Sequence, residues 1–240
     1  MTSPKLPQNV HLSTHPCIQG KLSMLRSKNT ASREVKSLIN DISTIIGCEA
    51  LATTLTAVAG AKDETTLGYE YTTTEIEPRA LSLVPILRSG LGMVESIQNL
   101  LPHPVPVHHL GLYREPTTLE PVEYYNNLPQ HIIANPAAAR STDPDHPDAS
   151  VSSLAIILDP VIATGGTCAA AIQTLKEWGV KKIVVLSVLG AVPGIERAAA
   201  EWPEACEIWL AGVDQELTHR GMLKPGLGDV GDRLFLTIGK

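Results

Sequence analysis

The chain is predicted to be an α/β protein with a mostly parallel sheet flanked by helices, and three observations carry that expectation. Uniformly apolar runs such as Leu154–Leu158 have the length and composition of strands buried on both faces. Such runs alternate along the chain with segments whose apolar residues recur at helical spacing, the pattern of βαβ units in one domain. The 240 residues suffice for one sizeable core, and with Phe235 the single phenylalanine that core is left to Ala, Leu, Ile and Val.

In chain order, residues 1–20 are polar and proline-containing and read as a loose arm. Val35, Leu38, Ile39, Ile42 and Ile46 form a helical stripe, and a second apolar helix is expected from Cys48 to about Ala59. Residues 61–79 are polar with a threonine-rich patch, which suits an edge strand or hairpin. Ala80–Leu87 reads as a buried strand, Leu91–Leu101 as a helix and Val105–Tyr113 as a strand. Residues 114–150 are expected to be mainly loop. Within them 135–150 lack periodicity and are rich in Pro, Asp, Ser and Ala, which reads as a mobile insertion. Beyond it come the strand Leu154–Leu158, a helix from Cys168 stopped by Gly179, the strand Lys182–Leu189, the helix Gly194–Trp202 and the strand Cys206–Ala211.

Composition narrows the function classes. A net charge of −6 without any basic cluster argues against a nucleic-acid or membrane-surface partner. No apolar run is long enough to span a bilayer, and the N-terminus lacks a signal-peptide core, so a cytoplasmic protein is expected. Cys17, Cys48, Cys168 and Cys206 are widely spaced and are expected to be reduced and mostly buried. The histidines form no metal pattern, and His108-His109, within a predicted strand, would point to opposite faces.

The most informative segment joins Leu154–Leu158 to the helix at Cys168 through Asp159, Pro160 and the turn Thr164-Gly165-Gly166-Thr167. Unpaired N–H groups at a helix start carry partial positive charge and attract phosphate, while glycine lets the ligand approach the backbone. The turn lacks the lysine of a Walker A loop and the spacing of Gly-x-Gly-x-x-Gly. The run Asp-Pro-x-x-Ala-Thr-Gly-Gly-Thr resembles the phosphoribosyl-diphosphate loop of type I phosphoribosyltransferases, and its Asp-Pro pair resembles that of uracil phosphoribosyltransferases. Three more segments are similar to that family, in order. They are Val84–Met93, like its diphosphate loop; Gly111–Pro121, like its mobile loop; and Pro225–Phe235, like its uracil signature. Leu25–Thr30 fits the family's opening, and the resemblance runs from about His15 to the end.

The resemblance implies a type I phosphoribosyltransferase fold with a small hood or β-arm formed by the N- and C-terminal segments. It implies transfer of the phosphoribosyl group of phosphoribosyl diphosphate to uracil, giving UMP and diphosphate. Asp159, Arg88, Arg114 and Asp229 would be the catalytic set. Arg88, Ser89, Gly90, Arg114, Asp159, Pro160, Val161, Ile162, Ala163, Thr164, Gly165, Gly166, Thr167 and Asp229 would bind phosphoribosyl diphosphate. Leu223, Gly228, Asp229 and Val230 would bind uracil. Mg²⁺ would arrive with the diphosphate, with Asp229 a candidate ligand, and Lys28 would be a GTP contact in a homodimer or homotetramer. Blander readings stand beside these. Asp159 could cap its loop, Asp229 could be a turn residue, Arg114 could form a surface pair with Glu115, and Lys28 could be solvated. Asp232 and Arg233 are expected to pair with each other. Met222 stands where the family often has tyrosine, Val230 where it has alanine or phenylalanine, and Ser89 where it has alanine. These departures motivate the alternative of a non-catalytic or weakly active regulatory paralogue.

Overall fold

The structure is a computed structural model and describes residues 5–115, 118, 120–129 and 151–237. The expected insertion at 135–150 lies outside the described residues. The strands are β1 (Val10–Leu12), β2 (Thr56–Glu64), β3 (Glu70–Glu77), β4 (Leu81–Leu87), β5 (Leu110–Arg114), β6 (Pro121–Asn126), β7 (Leu154–Leu158), β8 (Val161–Ile162), β9 (Lys182–Ala191), β10 (Cys206–Asp214), β11 (Glu216–Leu217) and β12 (Leu223–Lys224). The helices are α1 (Pro16–Arg26), α2 (Ser32–Thr54), α3 (Leu91–Gln98), α4 (Gly166–Trp178), α5 (Val192–Ala199) and α6 (Val230–Phe235).

The main sheet has the order β1-β10-β9-β7-β4-β5-β6, with β8 continuing alongside β9. All its pairings are parallel except β5 with β6. Strands β4 and β7 are neighbours, but the chain leaves them in opposite directions, from β4 towards β5 and from β7 towards β9. Their carboxyl ends therefore flank a topological switch point, where open α/β sheets form a crevice. Alternation along β7 divides the core. Ile156 and Leu158 pack with α1, α2 and α3 on one face, while Ala155 and Ile157 pack with α4 and α5 on the other.

Helix α2 buries Val35, Leu38, Ile39, Ile42 and Ile46, as the stripe predicts, but continues as one helix to Thr54. No break separates Ile46 from Cys48, and Gly47 between them is a point of close approach. A Cβ there would lie 2.6 Å from Ile97 Cδ1, so glycine lets α2 and α3 meet. The chain then turns directly into β2, which pairs with β3 as an exposed antiparallel hairpin, so no second helix reaches Ala59.

Residues 1–20 are not a loose arm throughout. Val10–Leu12 adds to the sheet edge in register with Ile208–Leu210, and Pro16 opens α1, whose Ile18, Leu22 and Leu25 enter the core. Within the range expected to be mainly loop, Pro121–Asn126 forms β6 against β5, and residues 130–150 lie outside the described residues. His108 and His109 precede β5 rather than lying within it, and His108 packs edge-on against Trp178 at 5.3 Å. Cys168 and Cys206 are buried, whereas Cys17 and Cys48 are exposed, so half of the thiols depart from the expected burial. Among the described residues no helix is long and apolar enough to cross a membrane.

Candidate active site

A cleft of about 550 Å³ opens at the carboxyl ends of β4 and β7. Four segments contribute to its wall: Leu87–Ser89 at the end of β4, Tyr113 and Tyr124 on β5 and β6, most residues from Asp159 to Cys168 after β7, and most from Met222 to Gly231 near the C-terminus.

The β7–α4 turn is shaped by backbone contacts. Gly165 has φ of +78°, and a Cβ on it would collide with the carbonyl oxygen of Gly194 in the first turn of α5. The converse holds at Gly194, where a Cβ would strike the Ala163 carbonyl. Two glycines therefore let two backbones touch. Helix α4 starts at Gly166 and has no side-chain cap. Its first N–H groups, which no helical carbonyl can satisfy, lie beside the cleft-lining Thr164, Gly165 and Thr167.

Asp159 stands at the end of β7, only 6% exposed. Burial pushes its carboxyl up to about 7, opposed by one long contact, from the Val161 N–H at 3.5 Å. A carboxylate meant only to cap this turn would be expected to hold it more closely. Beneath it, burial pushes the Cys168 thiol well up, with Asp159 adding to the shift, which keeps the sulfur protonated and unreactive.

Arg88 reaches across the cleft mouth. Its guanidinium donates to Thr237 Oγ1 at 3.2 Å and contacts Asp232 Oδ1 at 3.4 Å. The Leu87–Arg88 peptide bond is cis. Asp232 and Arg233 are not the expected pair. Asp232 faces Arg88 and Thr237, while Arg233 donates to three backbone carbonyls, those of Leu25 and Leu227 at 2.6 Å and Ser27 at 3.0 Å. Asp229 caps α6, its Oδ1 accepting the Asp232 N–H at 2.9 Å, and also lines the cleft.

The cleft thus brings together Arg88, Ser89, Asp159, Val161–Gly165, Thr167, Leu223 and Gly228–Val230 of the expected residues. Gly90, Pro160 and Gly166 are not on its wall. A Cβ on Gly90 would strike the Leu158 carbonyl, and the Pro160 carbonyl accepts the N–H groups of Val188 and Leu189. Arg114 ends β5, and Lys28 is exposed in the turn between α1 and α2. Sequence reasoning missed Tyr113 and Tyr124, whose rings lie 6.0 Å apart on the cleft wall. It also missed Arg26 and Asp214, which hold the C-terminal loop from behind. The tyrosines carried a signal, since a β5–β6 hairpin would have put them on one surface. Arg26 and Asp214 carried none at this sequence separation.

A doubly flanked, mostly parallel sheet with a glycine-shaped helix start at its switch point has the type I phosphoribosyltransferase fold. An adenine phosphoribosyl transferase from Trypanosoma brucei shares this fold at TM-score 0.51 and 14% identity, over 92% of this chain and 90% of that one. The chain belongs to the uracil phosphoribosyltransferase family, whose profile matches residues 12–237. It is 40% identical over 223 residues to the uracil phosphoribosyltransferase of Finegoldia magna, covering 93% of this chain and 96% of the relative. It is 38% identical over 228 residues to that of an Exiguobacterium species, covering 95% and 98%. Among solved structures, the AQ2163 protein from Aquifex aeolicus matches with TM-score 0.79 and 27% identity, over 94% of this chain and 97% of that one.

Proposed function

We propose that the protein transfers the phosphoribosyl group of phosphoribosyl diphosphate to uracil, yielding UMP and diphosphate in pyrimidine salvage. One observation carries this reading: the uncapped start of α4, the buried Asp159 and the C-terminal loop share a single cleft. Family membership adds the base and the reaction.

In this reading the 5′-phosphate rests on the N–H groups and hydroxyls of Ala163–Thr167. Asp159 accepts from the ribose hydroxyls, and Arg88, released from Asp232, holds the diphosphate together with Arg114. Uracil is read by backbone groups around Leu223, Gly228 and Val230. The Gly226 and Leu227 carbonyls are already engaged by Arg26 and Arg233, which leaves recognition to their neighbours. Uracil N1 forms its bond to the anomeric carbon as the bond to diphosphate breaks, and the N1 proton is lost. Positioning and charge neutralisation suffice, and no protein nucleophile is required.

Among the described residues no group of three or more His, Cys, Asp or Glu side chains is arranged to hold a metal ion. In this reading Mg²⁺ enters on the substrate phosphates, with the cleft-lining Asp229 a candidate ligand. Bound there, the metal would neutralise the leaving diphosphate. A cytoplasmic homo-oligomer completes the reading, and the exposed Leu67, Tyr69 and Tyr71 of the β2–β3 hairpin support association. Lys28 is the GTP contact in this scheme.

The test is UMP formation from labelled uracil, phosphoribosyl diphosphate and Mg²⁺, with Asp229→Asn alongside. Asparagine keeps an acceptor for the Asp232 N–H, so α6 stays capped while the charge is lost. Product from the wild type and none from the variant is expected. No product from folded wild-type protein would sink the proposal.

A further inference from the structure

We propose that Arg26 and Asp214 are positioning residues for uracil, which fix the base-reading loop through Gly226. The inference rests on the uracil phosphoribosyltransferase reading above.

Asp214 ends β10 and its side chain is 3% exposed. A buried carboxylate is costly unless it is paired and hydrogen-bonded, and this one is satisfied on both oxygens. Arg26, the last residue of α1, donates Nη2–H to Oδ1 at 2.6 Å and Nη1–H to Oδ2 at 3.1 Å. Oδ2 also accepts the Gly226 N–H at 2.8 Å. Arg26 Nη1 donates in addition to the Gly226 carbonyl at 2.7 Å. The ion pair therefore grips both polar groups of one residue on the cleft wall. That residue has φ of +67°, and a Cβ on it would collide with the Leu223 carbonyl, so its conformation is determined from within the loop and from behind. The adjoining carbonyl, of Leu227, is held at 2.6 Å by Arg233.

Backbone recognition works only if the backbone does not shift. Uracil offers a donor and acceptor pattern, and groups misaligned by a fraction of an ångström lose most of their hydrogen-bond strength. Among the described residues the side-chain hydrogen bonds of Arg26 and Asp214 go to each other and to Gly226, and none goes to the phosphate loop after β7. Loosening the clamp should therefore weaken the base and leave phosphoribosyl diphosphate untouched. A residue that serves folding alone would alter both substrates together or neither.

The experiment compares steady-state kinetics of the wild type, Asp214→Asn and Arg26→Lys, with thermal unfolding of each. Asparagine turns one clamp oxygen into a donor facing either Arg26 or the Gly226 N–H. Lysine keeps the ion pair but cannot also reach the Gly226 carbonyl in the same fork geometry. Both variants are expected to raise KM for uracil roughly tenfold and to hold KM for phosphoribosyl diphosphate within about twofold. Arg26→Lys should keep a Tm near the wild type, so it decides the matter if Asp214→Asn folds poorly. Unchanged uracil KM in folded Arg26→Lys, or equal rises in both KM values, overturns the clamp while the function reading stands. A folded wild type that makes no UMP overturns both.

Discussion

The two walls of the cleft are held in opposite ways. From Asp159 to Thr167 the chain is fixed by its own strand and helix and by backbone contacts to its sequence neighbours: β8 pairs with β9, the Pro160 carbonyl accepts the Val188 and Leu189 N–H groups, and Gly165 packs on Gly194. From Met222 to Gly231 it is fixed by side chains reaching across the molecule. Arg26 meets Gly226 from 200 positions away, and Arg233 ties the loop to Leu25 from 208. The first wall can be made rigid cheaply, because phosphate is a strong, symmetric anion that any ring of N–H groups will bind. The second must present a particular order of donors and acceptors, and it draws on α1, β10 and α6 together to do so.

The sharpest way to break this contrast is Gly165→Val. A β-branched side chain at positive φ, aimed at a carbonyl, should destabilise the protein by about 3 kcal/mol and lower UMP formation at least ~100-fold. Denaturant unfolding and turnover assays read both effects. Wild-type turnover in this variant would mean that the backbone contact does not shape the phosphate wall.

Asp159→Asn probes the same wall through its charge. The folded pKa of about 7 lies above the ordinary 3.8. The protonated fold is thus favoured, and this stability is fully present below pH 3.8 and lost as pH rises through about 7. The ligand-free variant, always neutral, should therefore match the wild type near pH 4 and exceed it by roughly 2–4 kcal/mol at pH 8, while turning over far more slowly. Parallel stability curves across that range would refute the buried-carboxylate account.

A smaller effect is expected at Arg88, whose partners Asp232 and Thr237 are solvent-accessible. Arg88→Ala should raise KM for phosphoribosyl diphosphate about tenfold and change stability by no more than about 1 kcal/mol. If uracil KM moved instead, the two walls would not be functionally separate.

The smallest effect belongs to Lys224. It pairs with Glu216 at 2.8 Å in the exposed β11–β12 hairpin, and each partner's pKa is shifted by the other in the direction that favours its charged form. Lys224→Ala should leave Tm and both KM values at wild-type levels, because an exposed pair contributes little. A higher uracil KM would extend the base wall into the hairpin.

What the sequence made legible follows the same division. Strand β7, the turn after it and the Gly179 stop of α4 are local, and each could be read within a dozen residues. The stripe of α2 was equally plain up to Ile46. Its continuation through Gly47 to Thr54 was not, because a glycine that serves helix–helix contact looks the same in sequence as one that ends a helix. Strand β1 is three residues long and β6 is exposed on both faces, so neither carries the alternation that marks a half-buried strand. The cleft-lining residues of the C-terminal signature were identifiable by resemblance. Arg26 and Asp214 were not, because their function exists only once the chain ends meet. Asp232 faces Arg88 and not Arg233, because adjacent residues on a helix do not face each other.

The buried carboxyl at the end of β7 has a calorimetric consequence. With its pKa raised to about 7 by burial, Asp159 holds a proton in part of the ligand-free population at neutral pH. A ribose whose hydroxyls donate to that carboxylate favours the ionised form, so the proton passes to the buffer as the sugar phosphate binds. The apparent binding enthalpy should then depend on the buffer's own heat of ionisation. Titrations in PIPES and in Tris at the same pH should differ by the number of protons released multiplied by the difference between the two buffers' heats of ionisation, and Asp159→Asn should make them coincide.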